Sequence, residues 1–216
     1  MRILYVSILV VLTDQISKIT VKGISLPALG INLKGLPLGS SRQILGDFLR
    51  LTYIENPGMA FGIDIGGKLF FSLFSIVASA GILMYLYKSR NESVAFRTSL
   101  ALILGGAVGN LIDRVFYGIF FEEAPLFYGK VVDFIDADFF NVNVFGYHMS
   151  RWPVFNIADA SVTIGVILML FVHRSSMRQE SMLGGGTAIV GGPGVAPSVL
   201  QPDSSSTQPG GGSSQT

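Results

Sequence analysis

Four apolar runs, each close to twenty residues long, constrain this chain more than any other feature. They cover Ile3 to about Val21, Leu69 to Tyr87, about Phe96 to Tyr117, and Phe155 to about Val172. About twenty apolar residues at 1.5 Å per residue cross a hydrocarbon layer about 30 Å thick. The expected fold is therefore mainly α, a polytopic membrane protein with four transmembrane helices. Only 13% of the 216 residues are charged, about half the share of a soluble domain, which excludes an ordinary water-soluble fold.

Charge and composition narrow the chemistry. A formal net charge of +1 leaves no basic surplus for a nucleic-acid footprint, so no nucleic acid is expected as partner. With no cysteine there is no thiolate nucleophile, no disulfide framework and no Cys-ligated metal. Reactivity has to come mainly from carboxylates, amides and hydroxyls, with no metal or cofactor called for.

Lys and Arg near the span ends set orientation, short loops counting most. Arg2, then Lys88, Arg90 and Arg97, then Arg174 and Arg178 place both termini on the cytoplasmic side. Residues 36–65 are too polar to span and carry strand-like stretches such as 48–54, broken by Pro37, Gly39, Gly46, Pro57 and Gly58. A small β-rich extracytoplasmic element between helices 1 and 2 is expected there. The membrane domain is expected over 1–178. Residues 179–216, rich in Gly, Ser and Pro, read as a disordered cytoplasmic tail.

Polar residues inside the spans are the informative exceptions, because charges at that depth are costly unless paired or functional. Asp14 and Lys18 stand at i and i+4, positioned to pair. The third span carries Gly105 and Gly109, a spacing for close helix approach, beside Asn110, Asp113 and Arg114. The fourth opens on Pro153, Asn156, Ala158 and Asp159, with Pro153 suited to a helix start and Asn156 and Asp159 suited to a cap. Upstream, Asp133 sits in the apolar stretch 130–136. Counted at 1.5 Å per residue, Asp14 lies about 20 Å and Asp113 about 25 Å from the cytoplasmic ends of their helices. Asp14, Asp113 and Asp159 thus converge on the outer leaflet, where Asp133, Asn56, Asn110, Asn156 and Arg114 can join them around one pocket.

Two close aspartates do not both ionise readily, so one keeps a proton while the other accepts one from water. That is equipment for amide hydrolysis, with amides to hold the developing oxyanion. A helix N-terminus favours the ionised form of Asp159, leaving Asp133 as the expected proton holder. A carboxylate-based proton-coupled transporter is the competing reading; a scaffold subunit explains the glycines but not the Asp and Asn residues.

Five blocks occur in order: Asp14-Gln15-x-x-Lys18, Asn56-x-Gly58-x-Ala60-Phe61-Gly62, Gly105-Gly106-Ala107-x-Gly109-Asn110-x-x-Asp113-Arg114, Val131-Val132-Asp133-Phe134-Ile135 and Phe155-Asn156-x-Ala158-Asp159. Over roughly residues 1–175 this pattern closely resembles the bacterial lipoprotein signal peptidase family, signal peptidase II. The resemblance implies an aspartyl endopeptidase of the bacterial inner membrane that removes signal peptides from diacylglyceryl-modified prolipoproteins, cutting before the lipidated cysteine. It implies Asp133 and Asp159 as the catalytic dyad, with Asp14, Lys18, Asn56, Gly58, Asn110, Asp113, Arg114, Asn156 and Ala158 supporting or contacting substrate. It further implies a monomer, a surround of membrane lipids, and inhibition by globomycin. Residues 118–129, with interfacial aromatics Phe120, Phe121 and Phe127, and residues 137–152 depart from the family pattern as insertions.

Overall fold

The computed structural model describes residues 2–58, 67–138, 142–144, 147–149 and 151–184. The expected loop residues 59–66 and tail residues 185–216 lie outside them. The long helices are α1 (Leu4–Lys22), α2 (Gly67–Lys88), α3 (Val94–Ile112) and α5 (Ile157–Gly184). After α3 the chain widens into a π-type turn over Asp113–Tyr117 and closes in a last helical turn, α4 (Gly118–Phe120).

Among the described residues three helical stretches are long and apolar enough to cross a membrane: Leu4–Lys22, Gly67–Lys88 and Val94–Phe120. Ile157–Val172 forms a shorter apolar helix. It begins two residues later than its apolar run, because 151–156 is extended and pairs with a neighbouring strand. Pro153 accordingly lies in this lead-in rather than at the first helical position. The helix itself continues to Gly184, past the boundary at 178 expected from composition.

The helices are apolar outside and polar inside. Leu9 (66%), Val77 (71%), Met84 (73%) and Leu170 (65%) are largely exposed, whereas Asp14, Lys18, Ser72, Ser99 and Asp113 are completely buried. Such a distribution suits a hydrocarbon solvent, in which polar groups must find partners within the protein. Close helix approach follows from small residues: a Cβ on Gly105 would stand 2.8 Å from Val10 of α1, and one on Gly109 would stand 2.7 Å from Asp14 Oδ2. Gly106 faces the other way, where a Cβ would collide with the Ala158 carbonyl of α5.

The strands are β1 (Gly23–Leu26), β2 (Ile31–Lys34), β3 (Ser41–Leu45), β4 (Leu49–Asn56), β5 (Val131–Ala137), β6 (Val142–Val144) and β7 (Tyr147–Met149). The expected β element is present, but it recruits β5 from 75 residues downstream into a three-stranded antiparallel sheet ordered β3-β4-β5. A register shift between Leu51 and Ile54 leaves Ile54 opposite Asp133 and Asn56 opposite Val131. The hairpin β1–β2, directly after α1, was not expected from the sequence. A further antiparallel pair, β6–β7, falls within residues 137–152, expected from the sequence to be an insertion.

The core beneath the sheet joins Val21 at the end of α1 to Tyr53, Tyr117, Val132 and Phe134. Residues 118–129 fold back over the π-type turn: Gly129 N–H donates to Arg114 O at 2.9 Å, and Ser72 Oγ of α2 donates to Phe127 O at 2.7 Å. Phe120 is half exposed, as an interfacial aromatic would be. Phe121 instead turns inward onto Tyr117, with ring centroids 5.0 Å apart, and under the Lys22 ammonium at 4.6 Å.

Candidate active site

The polar residues of α1, α3, β5 and α5 meet in one continuous hydrogen-bonded cluster. Lys18 Nζ lies 2.8 Å from Asp14 Oδ2 and 2.8 Å from Asp113 Oδ2, all three side chains being fully buried. The expected i,i+4 pair is therefore one limb of a triad. Lys18 also donates to Asn110 Oδ1 at 2.9 Å. The second oxygens are also engaged: Asp14 Oδ1 accepts Ala158 N–H at 2.9 Å, and Asp113 Oδ1 accepts Gln15 Nε2 at 2.9 Å. Val132 N–H donates to Asp113 Oδ2 at 3.2 Å. Buried carboxylates and an ammonium persist only with this degree of pairing.

Asn110 and Asn156 connect the triad to the two remaining aspartates. Asn110 Nδ2 donates to Asp159 Oδ1 at 2.8 Å, and its carbonyl accepts Asn156 Nδ2 at 3.1 Å. The same Asn156 amide donates to Asp133 Oδ1 at 2.7 Å. Asn156 is the N-cap of α5 and forms a reciprocal box with Asp159: Asp159 N–H donates to Asn156 Oδ1 at 2.9 Å, and Asn156 N–H donates to Asp159 Oδ2 at 3.2 Å. The two side chains expected to cap this helix do so.

Strand pairing fixes Asp133 against this helix start. Ile135 N–H donates to Phe155 O at 2.7 Å, Phe155 N–H returns to Ile135 O at 3.1 Å, and Trp152 N–H donates to Ala137 O at 3.2 Å. Burial pushes the Asp133 carboxyl up from an ordinary 3.8 to about 7, and the neighbouring Asp159 charge adds to the rise; Lys18 and hydrogen bonds from Asn156 and Asn56 oppose it. Arg114 donates to Asn110 O at 3.3 Å and lies within electrostatic reach of Asp113, Asp159 and Asp133.

Gly58 and Ala158 serve packing. Gly58 has φ +108, and a Cβ there would stand 2.6 Å from the Phe71 ring, so the close approach at this glycine is made by α2. Asn56 Oδ1 accepts Gly58 N–H at 2.9 Å, which turns the end of β4. Ala158 is completely buried between Asp14 and Gly106.

Asp159 also lines a groove of about 590 Å³ with Trp152, Phe155, Thr163, Ile164 and Ile167, an almost wholly apolar surface. Asp159 thus stands at the edge of an apolar groove, and the Asn110 and Asn156 amides link it to Asp133. Among the described residues no group of His, Asp and Glu is placed to hold a metal ion.

Several polar partners were missed in the sequence. Gln15 stood within a quoted block but was not selected; its amide also reaches Gly109 O at 3.1 Å and accepts the Tyr117 hydroxyl at 3.0 Å. A second hub gathers Lys22, Glu55, Tyr53, Lys130 and Glu123. Burial raises Glu55, but hydrogen bonds from Lys130, Lys22 and Tyr53 prevail and hold it down at about 2. Asp136 is clamped by Arg151 Nε at 2.7 Å and Thr52 Oγ1 at 2.8 Å.

The family model described as signal peptidase (SPase) II matches residues 6–174. The lipoprotein signal peptidase of Chlorobaculum parvum is 42% identical over 141 residues, covering 65% of this chain and 80% of that protein. That of Porphyromonas gingivalis is 35% identical over 194 residues, covering 77% and 80%. A bacterial membrane enzyme solved by the in meso method at 1.9 Å superposes with a TM-score of 0.57 at 31% identity, over 79% of this chain and 91% of that one. The matched span holds Asp14, Lys18, Asn110, Asp113, Asp133 and Asp159 alike, and the chain belongs to the signal peptidase II family.

Proposed function

We propose that this chain is an aspartic-type endopeptidase that removes the signal peptide from diacylglyceryl-modified prolipoproteins, cutting before the lipidated cysteine with a water activated between Asp133 and Asp159. The observation that carries the reading is the shared pair of amides: Asn156 holds Asp133, Asn110 holds Asp159, and the two amides hydrogen-bond each other. Carboxylates fixed in this way are pre-positioned rather than diffusing as separate side chains.

In the first step the ionised Asp159 takes a proton from water as the oxygen attacks the scissile carbonyl. Protonated Asp133 hydrogen-bonds the carbonyl oxygen as negative charge develops there, and a proton passes to the leaving nitrogen as the C–N bond breaks. Arg114 and the amide of Asn56 supply donors for the substrate backbone, while the amides of Asn110 and Asn156 hold the dyad in place. The apolar groove beside Asp159 suits acyl chains or the hydrophobic signal segment.

The same reading takes Ile157–Val172 as a fourth span, both termini as cytoplasmic, and the dyad as lying near the outer leaflet of the bacterial inner membrane. It makes the enzyme a monomer, cofactor-free and open to globomycin. A proton-coupled transporter calls for polar groups through the whole membrane depth, whereas Asp14, Lys18, Asn110 and Asp113 form one local cluster.

Purified protein incubated with a prolipoprotein tests the substrate assignment. Mass spectrometry is expected to find a signal peptide and a product beginning at the lipidated cysteine, and no cleavage of the same precursor lacking the diacylglyceryl group. Equal cleavage of both precursors overturns the lipid requirement.

A further inference from the structure

A second hollow, of about 400 Å³, shares no residue with the groove at Asp159. It is walled by Leu38, Tyr53, Ile54, Glu55, Pro57 and Lys130. Its wall includes the strand next to the one that carries Asp133: Ile54 stands opposite Asp133 across β4 and β5. Pro57 directly follows Asn56, whose side chain hydrogen-bonds Asp133.

The two hollows differ in chemistry. The groove at Asp159 is apolar, while this one carries an ion pair in which Lys130 Nζ donates to Glu55 Oε2 at 2.8 Å. Glu55 is almost covered, at 6%, whereas the Lys130 side chain is 37% exposed. Lys22 also pairs with Glu55 and is shared with Glu123, so two ammoniums face two carboxylates in this hub, of which Glu55 is covered. A ligand entering the hollow therefore meets the ammonium rather than the carboxylate. An ammonium has three N–H donors, and the bond to Glu55 uses one.

A substrate cut at a signal-peptide boundary has the same polarity step. The segment before the cut is apolar, and the mature chain after it is soluble. We propose that this hollow receives the first residues of the mature chain, and that Lys130 makes it favour an acidic side chain over a basic one there. The proposal rests on the peptidase reading above and adds a subsite on the carboxyl-terminal side of the scissile bond. Lys130 acts as a specificity determinant. Leu38, Ile54 and Pro57 supply an apolar wall against which an extended chain lies, and the partly exposed ammonium selects by charge. A basic side chain brought beside Lys130 meets like charge.

The test uses three lipidated prolipoproteins differing only at the second residue after the cut, which carries Glu, Gln or Lys. They are presented to wild type, Lys130→Gln, Lys130→Glu and the exposed-surface control Lys34→Glu. For wild type, kcat/KM is expected to be roughly five-fold higher with Glu than with Lys, the scale of one partly exposed charge pair. Lys130→Gln flattens that ratio, Lys130→Glu reverses it, and Lys34→Glu leaves it as in wild type. Equal rates on all three substrates, unchanged in Lys130→Gln, overturn the subsite while leaving the peptidase reading intact. Failure of wild type to cleave any lipidated precursor overturns both. Lys130→Gln retains a hydrogen-bonding side chain beside Glu55, so the test stands even if Lys130→Glu does not fold.

Discussion

Asn156 and Asp159 cap one helix reciprocally while each also holds its place in the polar cluster. The Asn156 carbonyl oxygen accepts Asp159 N–H at 2.9 Å, and its amide nitrogen donates to Asp133 at 2.7 Å. One side chain therefore fixes the helix start and the separation of the two aspartates. Stability and reactivity separate on substitution. Asn156→Ser keeps a good cap and loses the amide donor; Asn156→Ala loses both. Thermal melts are expected to place Asn156→Ser above Asn156→Ala by the worth of a cap, about 1 kcal/mol. Cleavage assays are expected to show both strongly impaired.

The raised Asp133 carboxyl gives a signed pH dependence. Its native pKa of about 7 exceeds the ordinary 3.8, so the folded protein holds this proton more tightly than the unfolded chain. The resulting stabilisation is complete below about pH 4 and is lost as pH rises through about 7. Melting temperature of the wild type should fall from pH 5 to pH 8 by more than that of Asp133→Asn. Cleavage should decline over the same alkaline side, as the proton-holding form is titrated away.

Gly106 and Gly81 should respond oppositely to a methyl group. A Cβ at Gly106 collides with the Ala158 backbone, while one at Gly81 meets nothing within 4 Å. Gly106→Ala is expected to destabilise by about 1–3 kcal/mol through overpacking and to impair cleavage, because Ala158 lies one residue before Asp159. Gly81→Ala is expected to be neutral or to stabilise by up to about 1 kcal/mol through helix propensity. Thermal melts in one detergent check both.

Lys18→Met leaves Asp14 and Asp113 buried without their shared cation. Breaking a buried ion pair in this way costs about 3–5 kcal/mol. The variant is expected to melt far below wild type, or to fail to accumulate. A melting temperature within a degree of wild type would show that the triad does not support the fold.

The helices were legible because an apolar run about as long as a membrane is thick has few other uses. Asp14, Lys18, Asn110, Asp113, Asp133, Asn156 and Asp159 were legible because polar residues stood out against apolar surroundings. Hairpin β1–β2 escaped because its four-residue strands are short; its only signal is Ile24, Leu26, Ile31 and Leu33 alternating around Pro27 and Gly30. The pairing of β4 with β5, and the link from Lys22 to Glu123 across 101 residues, depend on long-range register that no local periodicity carries. The π-type turn at Asp113 left no sequence mark, yet it opens the helix where three aspartates approach Arg114.

In the proposed mechanism Asp133 and Asp159 act together on one water. Its most direct test is the cleavage rate of a lipidated prolipoprotein by wild type, Asp133→Asn and Asp159→Asn, each confirmed folded by thermal melt. Asp47, a 74% exposed side chain outside the polar cluster, serves as the control. Cleavage is expected to fall by several orders of magnitude in both dyad variants and to stay near wild type in Asp47→Asn. Near wild-type cleavage by either folded dyad variant would contradict the mechanism.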